Sequence, residues 1–155
     1  MTQTAIYPEF DGQPIKVLLV DDDDGDAKAV QRAFAKARIA NGIVRMRDGL
    51  EALEFLRETF GGKSATEDSF ILLVDINMPR LDGHGLVSAI REDPQLRRLI
   101  VFMLTTSRAR EDIDRAYEGN VAGYIVKENA GEDFLRMLDL LGSYWRVVEM
   151  PRLRA

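Results

Sequence analysis

"FILLVDINMPRLDG", residues 70–83, is an apolar run that ends in a lone carboxylate and then a turn containing proline and glycine. Residues 70–74 carry no polar side chain, so the run reads as a buried strand that delivers Asp75 to the protein surface. Three further apolar runs end in similar punctuation. Residues 17–20 run into Asp21, Asp22, Asp23 and Asp24, residues 99–104 into Thr105, Thr106 and Ser107, and residues 123–126 into Lys127. Acids, a carboxylate, a hydroxyl and an amine, each at the end of a strand, describe one site assembled by several parallel strands.

The spaces between these runs are helical. Residues 15–20, 42–46, 70–74, 99–104 and 122–126 read as strands. Helices are expected over about 26–40, 48–60, 85–92 and 107–117, with a last one beginning near Asn129 and Glu132. Val30, Ala33, Phe34 and Ala37 share one face of the first helix. Asp48 and Glu51 have the spacing of a capping box, Asp93–Pro94 ends the third helix, and Ser107 is placed to cap the fourth. Residues 61–69, "GGKSATEDS", read as a flexible loop, and 1–14, with Pro8, Gly12 and Pro14, as a flexible tail. Five βα units in regular alternation imply an α/β fold: a doubly wound, five-stranded parallel sheet with helices on both faces. In such folds the site lies at the carboxyl edge of the strands, where all the residues named above fall.

Composition narrows the function. A chain of 155 residues, 46% hydrophobic and 30% charged, is long enough for one domain with a real core. A net charge of −5 argues against a nucleic-acid partner. The absence of cysteine removes disulfides and thiolate metal sites. No apolar stretch reaches membrane-spanning length and the N-terminus lacks a signal pattern, so the expectation is a cytoplasmic protein with no membrane partner.

Asp21, Asp22 and Asp75 converging in one cleft would repel one another unless a cation lay between them. Oxygen ligands without His or Cys suit a hard ion, Mg²⁺ above all. Asp23, Asp24 and Asp26 are better read as acids favoured at a helix N-terminus. Lys127 and Thr105 would hold phosphoryl oxygens, and a carboxylate can accept a phosphoryl group as an acyl phosphate.

At these positions the chain resembles the receiver domain of two-component response regulators (CheY-like), over roughly residues 14–142. The resemblance rests on "KVLLVDD" at 16–22, "LVDINMPRLDG" at 73–83, "FMLTTS" at 102–107 and "GYIVK" at 123–127. It implies the flavodoxin-like (βα)5 receiver fold, strand order 2-1-3-4-5. It implies Asp75 as phosphoacceptor, Mg²⁺ held by Asp21, Asp22, Asp75 and the backbone carbonyl of Asn77, phosphate contacts from Thr105 and Lys127, and a switch made by Thr105 and Tyr124. Glu128 stands where proline is frequent, and Thr106 where a small residue is common. A finer resemblance, through "LLVDDDDGDAKAVQRAF" at 18–34, the loop at 61–69, "LTTS" and "SYWRVVEMP" at 143–151, is to stand-alone regulators of phytochrome-type histidine kinases. The implied partners are a sensor histidine kinase, a bacterial phytochrome in the finer reading, and a downstream phosphotransfer protein. Such a regulator is a phosphorelay signalling protein, not an enzyme beyond its own phosphorylation and dephosphorylation. Two other readings stand beside it: a small phosphatase with Asp21 as nucleophile and Asp23 as acid/base, and a phosphorylation-independent adaptor of receiver fold.

The remaining residues read more plainly. His84, the only histidine, reads as an exposed residue at a helix start. Met46, Met78, Met103 and Met137 read as core or turn packing, and Arg108 and Arg110 as the exposed face of the fourth helix. Phe134, Leu138, Leu141, Trp145 and Val148 are spaced four, three, four and three, one helical stripe that with Tyr144 extends past the receiver domain (15–142) into residues 143–155. Helical from 130 to 149, it would reach about 30 Å. The stripe favours a homodimer built on the last helix; a monomer in sedimentation at tens of micromolar would count against it.

Overall fold

The computed structural model describes residues 9–10, 13–36, 42–61 and 69–127. Their elements are β1 (Glu9–Phe10), β2 (Gln13–Val20), α1 (Asp24–Lys36), β3 (Ile43–Met46), α2 (Gly49–Gly61), β4 (Ser69–Val74), α3 (Gly83–Glu92), β5 (Ile100–Thr105), α4 (Arg110–Glu118) and β6 (Gly123–Val126). Five strands are parallel, side by side in the order β3-β2-β4-β5-β6. Counting parallel strands along the chain, this is the expected 2-1-3-4-5. The last helix, Met137 and the aromatic stripe from Phe134 to Val148 lie outside the described residues.

The central stretches 17–20, 70–74 and 101–104 are apolar throughout because both faces of the sheet are covered there. On one face Leu18 and Val20 of β2, Leu72 and Val74 of β4, and Val101 and Met103 of β5 are buried with Leu53 and Leu56 of α2 and Leu86 and Ile90 of α3. The intervening residues Val17, Leu19, Ile71, Leu73, Phe102 and Leu104 point to the other face and are equally buried. There α1 buries Ala27, Val30 and Phe34. Met103 is buried, and Met46 and Met78 pack against the core.

Several boundaries differ from the sequence reading. Part of the stretch expected as a loose tail is paired: β2 starts at Gln13, and β1 runs antiparallel to it with Glu9 opposite Pro14 and Phe10 opposite Gln13. The reason is an open edge. Among the described residues β2 meets β4 from Ile15 and β3 from Val17, so Gln13 and Pro14 extend past both neighbours there. α3 begins two residues early because Asp82 caps it, accepting from the Gly85 N–H at 2.7 Å. Ser107 does not cap α4: the N-cap is Ala109, and the Ser107 hydroxyl is engaged with Asp112 instead. Asp48 does cap α2, through the Glu51 N–H at 2.9 Å, but Glu51 reaches back to the Arg47 N–H.

Strand register brings the polar ends together. Val20 of β2 lies level with Val74 of β4, so Asp21 and Asp75 leave adjacent strands at the same height and on the same side. Hydrogen bonds carry the register one step further, from Asp75 N–H to the Val20 carbonyl at 2.9 Å and from Asp21 N–H to the Met46 carbonyl at 3.1 Å. The turn after Asp75 folds back tightly, with Gly83 N–H donating to the Ile76 carbonyl at 2.7 Å. A Cβ at Gly83 would strike the Asp75 carbonyl and the Ile76 Cα. Gly83→Ala is therefore expected to cost about 1–3 kcal/mol in urea unfolding. Gly42→Ala, where an added Cβ meets nothing within 4 Å, should stay near wild type; equal behaviour of the two variants would contradict the close approach.

Candidate functional site

At the carboxyl edge of the sheet, one oxygen from each of Asp21, Asp22 and Asp75 lies within 4.8 Å of the others. Asp21 is fully buried, Asp75 is half-buried and Asp22 exposed. Lys127, one residue past β6, reaches across the edge. Its ammonium stands 2.6 Å from Asp21 Oδ2, 3.0 Å from Asp26 Oδ2 and 3.6 Å from Asp75 Oδ1. Asp21 Oδ1 accepts from the Asp23 N–H at 3.0 Å. Both oxygens of Asp21 are thus committed within the protein.

The electrostatics follow from burial. Burial pushes the Asp75 carboxyl from its ordinary 3.8 up to about 6; Lys127 pulls it back, while Asp21 and Asp22 push it further up. Burial also raises Asp21, against the hydrogen bonds from Lys127 and Asp23. For Lys127 burial works downward, but the bond to Asp21, the charges of Asp75 and Asp21 and the bond to Asp26 outweigh it and raise its pKa. Lys127 stays an ammonium. Among the described residues the Lys127 ammonium faces Asp21, Asp26 and Asp75, with Asp22 beside them, which leaves the cleft with excess negative charge. Oxygen donors only, close spacing and unrelieved repulsion fit a hard divalent cation such as Mg²⁺.

Supporting residues fix the loops that carry these groups. Arg45, in β3, donates to the Asp21 carbonyl from Nε at 3.2 Å and Nη2 at 3.0 Å, and to Asp24 Oδ1 at 2.6 Å. Arg80, in the turn after Asp75, has φ of 66° and forks onto Asp48 at 2.8 and 3.1 Å. This ties the turn after Asp75 to the start of α2. Asp23 Oδ1 accepts from the Asp26 N–H at 2.7 Å, which caps α1. Asp23 therefore serves the helix start as expected, Asp24 lies in the first turn but is held by Arg45, and Asp26 joins the site through Lys127. Sequence reasoning missed Asp26, Arg45 and Arg80, since each acts across a distance that only strand register and the turn reveal.

Thr105, at the end of β5, is fully buried, and its Oγ1 accepts from the Ser107 N–H at 3.3 Å. Tyr124 packs against the core and donates from its hydroxyl to the Ser107 carbonyl at 2.8 Å. Asn77 is exposed in the turn. The expectation for His84 is corrected: it is buried, with Nε2 3.2 Å from Asp112 Oδ1, because α3 starts early enough to turn it under α4. Arg108 and Arg110 are exposed, though Arg108 precedes the helix.

The family model for the response regulator receiver domain matches residues 17–139. The chain is 35% identical over 133 residues to a probable methanogenesis regulatory protein, FilR2, of Methanothrix harundinacea, covering 85% of this chain and 84% of that one. It is 33% identical to the response regulator Rcp1 of Synechocystis, covering 89% and 94%. The Mn²⁺-bound structure of Rcp1 superposes with a TM-score of 0.73 at 30% identity, covering 88% of this chain and 98% of that one. The phosphorylated cyanobacterial phytochrome response regulator RcpA does so with a TM-score of 0.73, also at 30% identity, covering 88% and 97%.

The raised Asp75 carboxyl has a consequence for stability. The folded state holds its proton to higher pH than the unfolded chain, so this contribution to stability falls as pH rises from about 4 to about 6. Above that window the cost is on the order of 3 kcal/mol. Asp75→Asn should therefore be more stable than wild type near neutral pH in chelator, and Mg²⁺ should narrow the gap by stabilising wild type. Denaturation midpoints showing the variant weaker at neutral pH, with an unchanged pH slope, would contradict the crowding of carboxylates.

Proposed function

Because this chain belongs to the response regulator receiver family, we propose that Asp75 accepts a phosphoryl group from the phosphohistidine of a sensor histidine kinase. The observation that carries this is the register of β2 and β4, which sets Asp75 beside Asp21 under the Lys127 ammonium. Mg²⁺, when held by Asp21, Asp22, Asp75 and the Asn77 backbone carbonyl, would neutralise the oxygens of the incoming phosphoryl group. A carboxylate oxygen of Asp75 attacks phosphorus. The new O–P bond forms as the P–N bond to the kinase histidine breaks, and the imidazole leaves with that electron pair. Lys127, already near Asp75 Oδ1, contacts the phosphoryl oxygens, and the Thr105 hydroxyl donates to another. Engagement of Thr105 by the phosphoryl group shifts the Ser107 loop and Tyr124, and with them the face formed by α4, β6 and the following segment.

The geometry favours Asp75 over Asp21 as nucleophile. Asp21 is 0% exposed with both oxygens engaged, whereas the Asp75 side chain is 12% exposed. This difference supports the reading of Asp75 as phosphoacceptor over a phosphatase acting through Asp21. Similarity to Rcp1 and RcpA supports a phytochrome-type kinase as donor. A cytoplasmic location suits such a donor, and no helix among the described residues is long and apolar enough to cross a membrane. Dimerisation through the stripe that includes Trp145 stays a proposal from sequence.

Acetyl phosphate or a phosphorylated kinase should label the wild-type protein only with Mg²⁺ present, and Asp75→Asn should lose the label entirely. Thr105→Val should slow labelling on the order of a hundredfold, the scale of a lost transition-state donor. Undiminished labelling of Asp75→Asn would remove Asp75 from its role. Phosphotransfer profiling that includes phytochrome-type kinases would test the donor.

A further inference from the structure

His84 is the only histidine, it is buried, and the proposed phosphoryl transfer does not use it. Its Nε2 lies 3.2 Å from Asp112 Oδ1, across the gap between α3 and α4. Asp112 Oδ2 accepts from the Ser107 hydroxyl at 2.6 Å. The Ser107 hydroxyl in turn accepts from the Ala109 N–H at 3.2 Å. Ser107 also holds both proposed switch residues: its N–H donates to Thr105 Oγ1, and its carbonyl accepts from the Tyr124 hydroxyl. A continuous chain of bonds therefore leads from the start of α3 to Thr105 and Tyr124.

The two ends of α4 are tied to α3 differently. At its C-terminal end Arg91 of α3 donates to the carbonyls of Gly119 at 2.8 Å and Asn120 at 3.0 Å, and also to those of Arg97 and Leu99. That end is a fixed anchor. At its N-terminal end the cap residue Ala109 makes no side-chain bond, and His84–Asp112 is a tie to α3 among the described residues. An ionised Asp112 can only accept, and Ser107 and His84 together hold it in that state by lowering its pKa. Nε2 of His84 must then carry the proton it shares with Asp112.

We propose that His84 is a positioning residue: through Asp112 it holds Ser107, and so sets where the Thr105 hydroxyl and the Tyr124 ring stand before phosphorylation. This rests on the reading of Asp75 as phosphoacceptor, and it adds the element that biases the switch. With the latch closed, Ser107 fixes the Thr105 hydroxyl and keeps Tyr124 docked. With it open, Ser107 is released from Asp112, and the N-terminal end of α4 swings on its Arg91 anchor. Fewer molecules then hold Thr105 where it meets a phosphoryl oxygen.

The test compares His84→Leu, which keeps bulk without a donor, with His84→Gln, whose amide nitrogen can stand near the place of Nε2. Asp112→Asn is made alone and with His84→Leu. Two signals are read: the Ser107 amide and Tyr124 ring resonances of the unphosphorylated protein, and the rate of labelling by acetyl phosphate with Mg²⁺. In His84→Leu and Asp112→Asn both resonances should shift and labelling should slow by about three- to tenfold, the scale of one lost hydrogen bond. The double variant should be no slower than either single one, and His84→Gln should return toward wild type. Should His84→Leu fail to fold, Asp112→Asn carries the same comparison. Wild-type resonances and rate in His84→Leu would overturn the proposal, as would His84→Gln being as impaired as His84→Leu. Failure of wild-type protein to label at all would count against Asp75 as acceptor, with the resonances still deciding the latch.

Discussion

The buried ammonium of Lys127 is what allows two adjacent strands to end side by side in carboxylates. Equal register of β2 and β4 places Asp21 and Asp75 together, and neither can be moved without slipping a strand whose residues are buried on both faces. The desolvation cost of such a cluster is large, and a single ion pair rarely does more than offset it. Here one lysine serves Asp21, Asp26 and Asp75 at once, and the balance still leaves Asp75 with a carboxyl pushed up to about 6. The edge of the sheet is held in a tension that a cation, or a phosphoryl group bringing one, can relieve.

Much of this was legible in the sequence, for a physical reason. Strands of a parallel sheet covered on both faces must be apolar throughout, so 17–20, 70–74 and 99–104 stand out as uninterrupted runs, and the residue that ends each run marks the edge. Asp21, Asp75, Thr105 and Lys127 were found this way, and the structure brings them to one edge. What was not legible depends on contacts that local pattern does not encode. Asp26 looked like any acid in the first turn of a helix. Arg45 reaches the Asp21 carbonyl only because β3 pairs with β2. Arg80 reaches Asp48 only because its turn takes a left-handed backbone. His84 looked like a residue at an exposed helix start until Asp82 moved that start two residues back. β1 depends on the backbone edge left open at Gln13 and Pro14, which no side-chain periodicity reports.

These supports share a logic. The turn after Asp75 is pinned on one side by Gly83 against the Asp75 backbone and on the other by Arg80 on Asp48, so Asp75 has little freedom. The loop after β5 is different: it is held by side-chain bonds through Ser107, each modest in strength and each reversible. A rigid turn facing a loop held by weak bonds suits the phosphorylation switch proposed for Asp75, since a local change in charge can then alter a surface some distance away.

The most direct measurement is the identity of the residue that carries phosphate. Protein exposed to acetyl phosphate is treated with borohydride, which reduces an aspartyl phosphate to homoserine, and the modified position is read by mass spectrometry. Modification at Asp75, dependent on Mg²⁺, is the expected result. Modification at Asp21, or at Asp75 without any need for a divalent cation, would contradict the assignment of roles at this sheet edge.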